Sequence, residues 1–215
     1  MCFSSEASFA VGTYLLGVGA MTVRHVRDPR EWPFASIPLL FALQQFAEGV
    51  VWLTFRHDAP GLHGVMTQVY SFFSHVLWPV CIPLAVLVME PPGTRRRVLG
   101  LLVAVGLGVG SYLLYAMLEY PLVARESGHH IEYLTPPYFL TAATMLYLVA
   151  TTISLMLSSH RALRLFGQLA LVSFALAYGV YQTWFISVWC FFAAVLSTVV
   201  LFHFRAGTSI RKVSA

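Results

Sequence analysis

The sequence predicts an all-α integral membrane protein, built as a single domain of seven transmembrane helices. Of its 215 residues, 58% are hydrophobic and only 10% are charged, whereas a soluble domain carries about 25% charged residues. The hydrophobic residues fall into seven runs, most of them close to the ~20 residues that a helix needs to cross a bilayer. The basic residues are grouped between these runs, which is typical of membrane anchors and not of a nucleic-acid-binding surface. We therefore expect the lipid bilayer, and no nucleic acid, as a partner.

Each predicted span is an apolar run between two polar loops. The seven spans cover residues 8–23, 34–55, 65–89, 98–118, 136–157, 165–181 and 184–204 of the single domain 1–215. The first and fourth spans have small-residue faces that predict close helix packing. These faces contain Gly12, Gly17 and Gly19 in the first span and Gly100, Gly106, Gly108 and Gly110 in the fourth.

The third span contains Pro79 and Pro83, and two prolines four residues apart predict a kink. Between the fourth and fifth spans, Tyr120 to Thr135 forms the longest and most polar segment, which we interpret as a loop. The sixth and seventh spans are joined by a tight turn at Gln182 and Thr183.

The basic residues also predict the orientation of the chain. All 13 lysines and arginines except Arg56 and Arg125 lie in the loops after spans one, three and five or in the C-terminal tail. Basic loops remain on the cytoplasmic side, so the C-terminus is predicted to be cytoplasmic and, with seven spans, the N-terminus outside. We expect a multi-pass protein of the bacterial inner (plasma) membrane.

The second span is almost wholly apolar, yet it carries Gln44, Gln45 and Glu48. A carboxyl group inside a span costs roughly 2.5–3.5 kcal/mol on insertion scales, so it is usually turned inward and given a partner. With a rise of 1.5 Å per residue, Glu48 lies ~10 Å and His75 ~15 Å below the outer ends of spans two and three. We therefore predict His75 as the partner of Glu48, with Gln44 and Ser71 each one turn away on the same faces.

These residues predict an outward-opening polar cavity. The predicted ligand-binding residues are Gln44, Gln45, Glu48, Ser71, His75 and Glu119, and the predicted metal ligands are Glu48, His75 and Cys2. Imidazole with thiolate favours copper or zinc, and carboxylate with amide favours harder ions. Removal of Met1 would give Cys2 an α-amine beside its thiol. A purely structural role remains open, with Glu48 protonated and hydrogen-bonded inside the bundle.

Three functions are compatible with this site. The first is binding or transport of a metal ion or small ligand; the second is a membrane-embedded hydrolase, possibly metal-dependent, acting on a lipid-like substrate. The third is a non-catalytic partner subunit. The sequence contains no nucleophile elbow, phosphate-binding loop or HExxH motif, so it indicates no reaction class and no catalytic residue.

Parts of the chain resemble an uncharacterised family of bacterial multi-pass membrane proteins that begin Met-Cys-Phe-Ser. The resemblance rests on Met1–Phe9, Ile37–Phe41, Gln44-Gln45, Glu48-Gly49, Leu77–Val80 and Arg95–Arg97. It implies the fold and the topology but no activity.

Ser71 and His75 also match a Ser-x3-His pattern of the alkaline ceramidase and adiponectin-receptor group of zinc membrane hydrolases. The chain departs from that group because its third span has no aspartate. Its last span has His203 alone, where that group has a His-x3-His pair.

Overall fold

The computed structural model describes residues 4–120, 122–128, 130–134, 141–180 and 184–213. This part of the chain forms seven helical segments and one β-hairpin. The helices are α1 (Ser5–Val23), α2 (Pro29–His57), α3 (Pro60–Met89), α4 (Thr94–Glu119), α5 (Ala142–Leu157), α6 (Arg161–Val180) and α7 (Phe185–Arg205). All except α5, which is shorter, are long and apolar enough to cross a membrane. The predominantly helical fold is thus confirmed.

Two of the long helices contain breaks. In α2, a short turn at Ser36 precedes the main helix Ile37–His57. In α7, Ser197 separates Phe185–Leu196 from Thr198–Val213. The predicted span 136–157 begins within residues 135–140, which are outside the described part of the chain.

The segment predicted as a long loop contains an antiparallel hairpin, β1 (Val123–Ser127) and β2 (His130–Leu134), so that interpretation was wrong for these residues. Gly128 has a positive φ of 62° at the turn, which glycine adopts without steric cost. On β2, Ile131 and Tyr133 are buried and alternate with half-buried residues. This period of two is the pattern of a strand with one covered face, and it is too short to stand out in a polar segment.

The two ends of the bundle differ in composition. At one end, here called the hairpin end, the hairpin packs on α2, α3 and α7. His63 links these elements there, since its ring nitrogens lie 2.8 Å from Thr54 Oγ1 and 3.1 Å from the Ala124 carbonyl oxygen. The opposite end, here called the arginine end, contains the loop after α1 and the loops joining α3 to α4 and α5 to α6.

Helix α3 widens into a π turn over Phe72–Leu77, at the predicted kink. The Trp78 N–H donates to the Phe73 carbonyl, five residues back, and Pro79 has no N–H to offer. The Ser74 carbonyl therefore loses both helical donors, and the Tyr147 hydroxyl of α5 donates to it at 2.7 Å. Wide turns of this kind are frequent at functional sites.

The glycines of α4 differ in what they touch. A Cβ added to Gly106 would fall on the Pro79 carbonyl oxygen of α3, and one added to Gly110 would lie 3.0 Å from a Val80 methyl group. Gly100 and Gly108 would meet nothing within 4 Å. The prediction of a close-packed glycine face holds for Gly106 and Gly110 and is wrong for Gly100 and Gly108.

The glycines of α1 also differ in what they touch. A Cβ on Gly12 would lie 3.0 Å from the Phe46 ring, and one on Gly19 would overlap the Leu39 side chain, whereas Gly17 faces open space. Helices α1 and α2 thus pack closely along two of the three predicted glycine positions.

At the arginine end, a buried carboxylate links two loops, the one between α3 and α4 and the one between α5 and α6. Glu90, directly after α3, is 3% exposed. It accepts hydrogen bonds from the Ser159 backbone N–H at 2.9 Å, the Ser159 hydroxyl at 3.2 Å and the Ser158 hydroxyl at 3.3 Å. Arg96 Nη1 donates to the Glu90 carbonyl oxygen at 2.8 Å. One side chain thereby connects the α3–α4 loop to the segment that starts α6.

Candidate functional site

Three polar side chains of α2 lie in the interior of the bundle. Gln44, Gln45 and Glu48 are each fully buried. Gln44 and Glu48 are four residues apart, which places them on one helical face. The face is covered by α3 and α7, so the sequence prediction of an inward-facing polar group on this span agrees with the structure.

Glu48 accepts a hydrogen bond from the last helix. The Ser187 hydroxyl of α7 donates to Glu48 Oε1 at 2.8 Å, and Gln45 Nε2 lies 3.5 Å from Glu48 Oε2. Sequence reasoning missed Ser187. A serine in the apolar run 184–204, one turn before Cys190, was the available signal.

Gln44 and Cys190 connect the polar face of α2 to the other helices. The Trp78 indole N–H donates to Gln44 Oε1 at 2.7 Å. The Cys190 thiol lies beside the side chains of Gln44 and Tyr70 and is close to Glu48. Helices α2, α3 and α7 therefore converge on one buried cluster, of which Trp78, Tyr70 and Cys190 were not predicted as members.

His75 is buried within the π turn of α3, with 2% of its surface exposed. Its Nδ1 lies 3.0 Å from the Ser71 carbonyl oxygen and 2.7 Å from Ser74 Oγ. A carbonyl only accepts, so Nδ1 carries the proton and Nε2 of the neutral ring is an acceptor. A direct contact between His75 and Glu48 stays a prediction.

A cavity of about 220 Å³ lies in the hairpin half of the bundle, with His75 on its wall. Its polar lining comes from Ser74, His75, Thr144 and Cys190. The remaining lining is largely aromatic: Tyr133, Tyr147, Phe174, Tyr178, Phe185 and Trp189, with Leu113, Ala143 and Ile186 between them. Apolar walls with a few placed polar groups are typical of small-molecule sites.

The aromatic wall is a connected cluster. The Trp189 ring lies 5.3 Å from Phe174, 5.7 Å from Phe185 and 5.8 Å from Tyr147, measured between ring centroids. Trp189 is held by its indole N–H, which donates to the Ala170 carbonyl at 3.2 Å. The wall is therefore fixed by packing between α5, α6 and α7.

The hairpin covers the same half of the bundle. Tyr133 of β2 lines the cavity and stacks on Tyr70 of α3, with ring centroids 4.5 Å apart. His130 stacks on Trp184 at the start of α7, also at 4.5 Å. Aromatic contacts thus attach the hairpin directly above the cavity.

The predicted metal site, with Glu48, His75 and Cys2 as ligands, stays a prediction. Cys2 lies outside the described residues. Within the described part of the chain, no group of three or more histidine, cysteine, aspartate or glutamate side chains could hold a metal ion. Glu119, a predicted ligand residue, is exposed at the end of α4 and does not line the cavity.

Comparison with known proteins identifies the family but no activity. Residues 1–214 match a family of unknown function, DUF6629. No curated protein and no solved structure matches the chain. Because the match extends over nearly the whole sequence, the chain belongs to the DUF6629 family of unknown function.

Proposed function

We propose that the protein crosses the inner membrane seven times, with the hairpin end outside and the C-terminus in the cytoplasm. The seven apolar helices support the membrane location. The orientation is supported by the basic residues, which concentrate at the arginine end, while Arg56 and Arg125 are at the hairpin end.

Cysteine labelling in intact cells tests this orientation. In a Cys2→Ser background, we expect Glu126→Cys on the exposed hairpin to react with a membrane-impermeant maleimide. Arg95→Cys, exposed in the first turn of α4, is expected to react only after lysis. The reverse pattern would invert the topology, and equal labelling of both before lysis would contradict a membrane barrier between them.

We further propose that the cavity binds a small, largely apolar molecule with one hydrogen-bond donor, taken up from the hairpin end. The observation that carries this proposal is the cavity of about 220 Å³ with aromatic walls and His75 among its few polar groups. A dry cavity of 150 Å³ holds benzene, so by proportion this one holds roughly nine non-hydrogen atoms.

The chemistry of the polar lining sets the ligand class. Ser74, Thr144 and His75 all line the cavity, and hydroxyl oxygens and imidazole nitrogens can accept a hydrogen bond from a hydroxyl or N–H group of the ligand. Flat rings pack on Phe174, Phe185 and Trp189 in stacked or edge-to-face contacts. A phenol or an indole satisfies both conditions.

Ligand-observed 19F NMR with 5-fluoroindole, on detergent-purified protein, tests the proposal. We expect the wild type to bind the probe. His75→Leu should bind it two- to tenfold more weakly, because one hydrogen bond of about 0.5–1.5 kcal/mol is lost. Ala143→Phe should show no detectable binding, because the larger side chain fills the cavity. Ala104→Phe on the exposed face of α4 is the size-matched control and should bind as the wild type does.

Two results would overturn the ligand proposal. Equal binding by wild type and Ala143→Phe would place the probe outside the cavity. The second result is stoichiometric copper or zinc in the purified wild type that is lost in Cys2→Ser, His75→Ala and Glu48→Gln. It would show that the site binds a metal ion and not an organic molecule.

A further inference from the structure

We infer that the ligand enters the aromatic cavity sideways from the bilayer, through a mouth between α5 and α6, and is therefore a membrane-dissolved amphiphile. The inference rests on the proposed function, because it names the entry route and the ligand class of that same cavity. It specifies uptake from the hairpin end as uptake through the lipid leaflet on that side.

Helices α5 and α6 touch in the arginine half of the bundle. A Cβ added to Gly167 of α6 would lie 2.7 Å from Leu155 Cβ and 3.0 Å from the Thr152 carbonyl oxygen, both on α5. Small residues allow helix backbones to approach this closely in a membrane bundle. The contact lies ~16 Å from Tyr178 along α6, at 1.5 Å per residue.

Toward the hairpin end, the same two helices border the cavity. Thr144 and Tyr147 of α5 line it, as do Phe174 and Tyr178 of α6. Thr144 lies two residues after the start of α5, and Tyr178 lies two residues before the end of α6. Because the helices touch at Gly167 and have a cavity between them further along, they diverge toward the hairpin end.

The exposed part of the cavity wall lies at this gap. The side chains that α3, α4 and the hairpin contribute to the wall are buried, namely Ser74, His75, Leu113 and Tyr133. Tyr178, by contrast, is 51% exposed while it lines the cavity, and Thr144 and Tyr147 are half-buried. A residue that borders both a cavity and the outer surface marks its mouth, so the mouth lies between α5 and α6.

The outer surface beside the mouth is apolar. Large hydrophobic side chains are exposed on both helices there, namely Met145 and Leu146 on α5 and Leu176 and Val180 on α6. Residues 142–157 and 165–180 contain no charged residue. In a membrane-spanning chain, faces of this composition contact the hydrocarbon of the bilayer, so the mouth opens onto lipid and not onto water.

Tyr178 places the mouth near the level of the lipid headgroups. Tyrosine is enriched at this level, because its ring prefers the hydrocarbon and its hydroxyl the polar layer. The Tyr178 ring lies 5.7 Å from Phe185 and 5.9 Å from Phe174, measured between ring centroids. The aromatic wall of the cavity therefore continues to the mouth, and a molecule at this depth reaches the cavity without crossing water.

The mouth and the lining together select an amphiphile. An ion is excluded, because leaving water for an uncharged, apolar mouth costs it too much. A molecule with an apolar body and one hydroxyl or N–H group dissolves at the boundary between headgroups and hydrocarbon, and the hydroxyl oxygens of Ser74 and Thr144 can accept its hydrogen bond. A chain attached to the bound ring can stay in the bilayer, because the mouth is open to hydrocarbon.

Competition with a tailed probe tests the route on the full-length protein in phosphatidylcholine nanodiscs. The ring of 4-dodecylphenol fits the cavity of about 220 Å³, whereas its alkyl chain has to extend through a mouth. We expect 4-dodecylphenol and untailed phenol both to displace 5-fluoroindole from the wild type, as followed by 19F NMR. Neither probe should act on Ala143→Phe, which has no cavity to occupy.

A substitution at the mouth locates the exit of the chain. Thr144→Trp narrows the mouth, so this variant should still bind 5-fluoroindole but be displaced by 4-dodecylphenol roughly tenfold more weakly, while phenol acts as before. Met145→Trp is the matched control, because Met145 is exposed on the lipid-facing surface of the same helix, and it should behave as the wild type does. If Thr144→Trp loses 5-fluoroindole altogether, Thr144→Leu offers a smaller obstruction with the same expected order.

The outcomes separate the entry route from the proposed function. Displacement by phenol but not by 4-dodecylphenol would overturn the lateral mouth and leave the ligand proposal standing. Equal displacement by 4-dodecylphenol in Thr144→Trp and the wild type would show that the chain leaves elsewhere, which also overturns the mouth between α5 and α6. Absence of 5-fluoroindole binding to the wild type would overturn the ligand proposal, and the inference with it.

Discussion

Replacing Gly106 with alanine is expected to destabilise the bundle by roughly 3 kcal/mol, at the upper end of the usual cost of overpacking. The added methyl group would fall on the Pro79 carbonyl oxygen. That oxygen belongs to the backbone of α3, so no side-chain rotation can move it aside and the two helices must separate. Thermal unfolding of the detergent-purified protein measures the effect.

Gly108→Ala is the matched control, two residues further along α4. Its Cβ meets nothing within 4 Å, and alanine is favoured over glycine inside a helix by about 1 kcal/mol. We therefore expect unchanged or slightly raised stability. Equal stability of the two variants would contradict the close contact of α4 with α3.

The Pro79 carbonyl, which approaches Gly106, has no hydrogen-bond donor within α3, and the sequence of α3 is the reason. Pro83 has no N–H, so the Pro79 carbonyl four residues earlier lacks its helical donor. The absence of a Cβ at Gly106 lets α4 come close enough to cover this oxygen. The prolines of one helix and the glycine of another are thus parts of one contact, although composition alone predicted them as separate features.

The depth of a side chain in the bundle was predictable from the sequence, but the neighbouring helix that the side chain faces was predicted less well. The rise per residue correctly placed Glu48 inside the hairpin half. The prediction of its partner used depth alone, and the structure adds Ser187, on a helix more than 130 residues away in sequence. Hydrophobic periodicity could not reveal this, because α7 is apolar on nearly every face.

The aromatic cavity could not be predicted from the sequence, because it depends on which helices pack against each other. Phe174, Phe185 and Trp189 lie in apolar runs where aromatic residues are expected as core or interface residues. They form a wall only because α6 and α7 pack side by side with α5 opposite. The polar residues marked the general position of the site, and the packing of the last three helices determined its shape.

Removal of the Glu90 carboxylate should destabilise the arginine end about as strongly as the Gly106 substitution destabilises the helix contact. In Glu90→Ala, the Ser159 N–H and the two serine hydroxyls lose a charged acceptor. Hydrogen bonds to charged groups contribute about 1.5–3 kcal/mol each when buried. Because they share one acceptor, we expect a combined loss of about 3 kcal/mol, or a fall in Tm on the order of 10 °C for a protein of this size.

Two further variants, Glu90→Gln and Glu119→Ala, show whether stability depends on the hydrogen bonds of Glu90 or only on the loss of a negative charge. The amide keeps one acceptor oxygen, so Glu90→Gln should lie between the wild type and Glu90→Ala. Glu119 is exposed at the end of α4, and its removal should change stability by less than about 0.5 kcal/mol. If Glu90→Ala were no less stable than Glu119→Ala, the carboxylate would not hold the two loops together. A loss of stability in the Glu90 variants but not in Glu119→Ala would show that Glu90 holds the arginine end together, because it is the buried acceptor that links the α3–α4 loop to the start of α6.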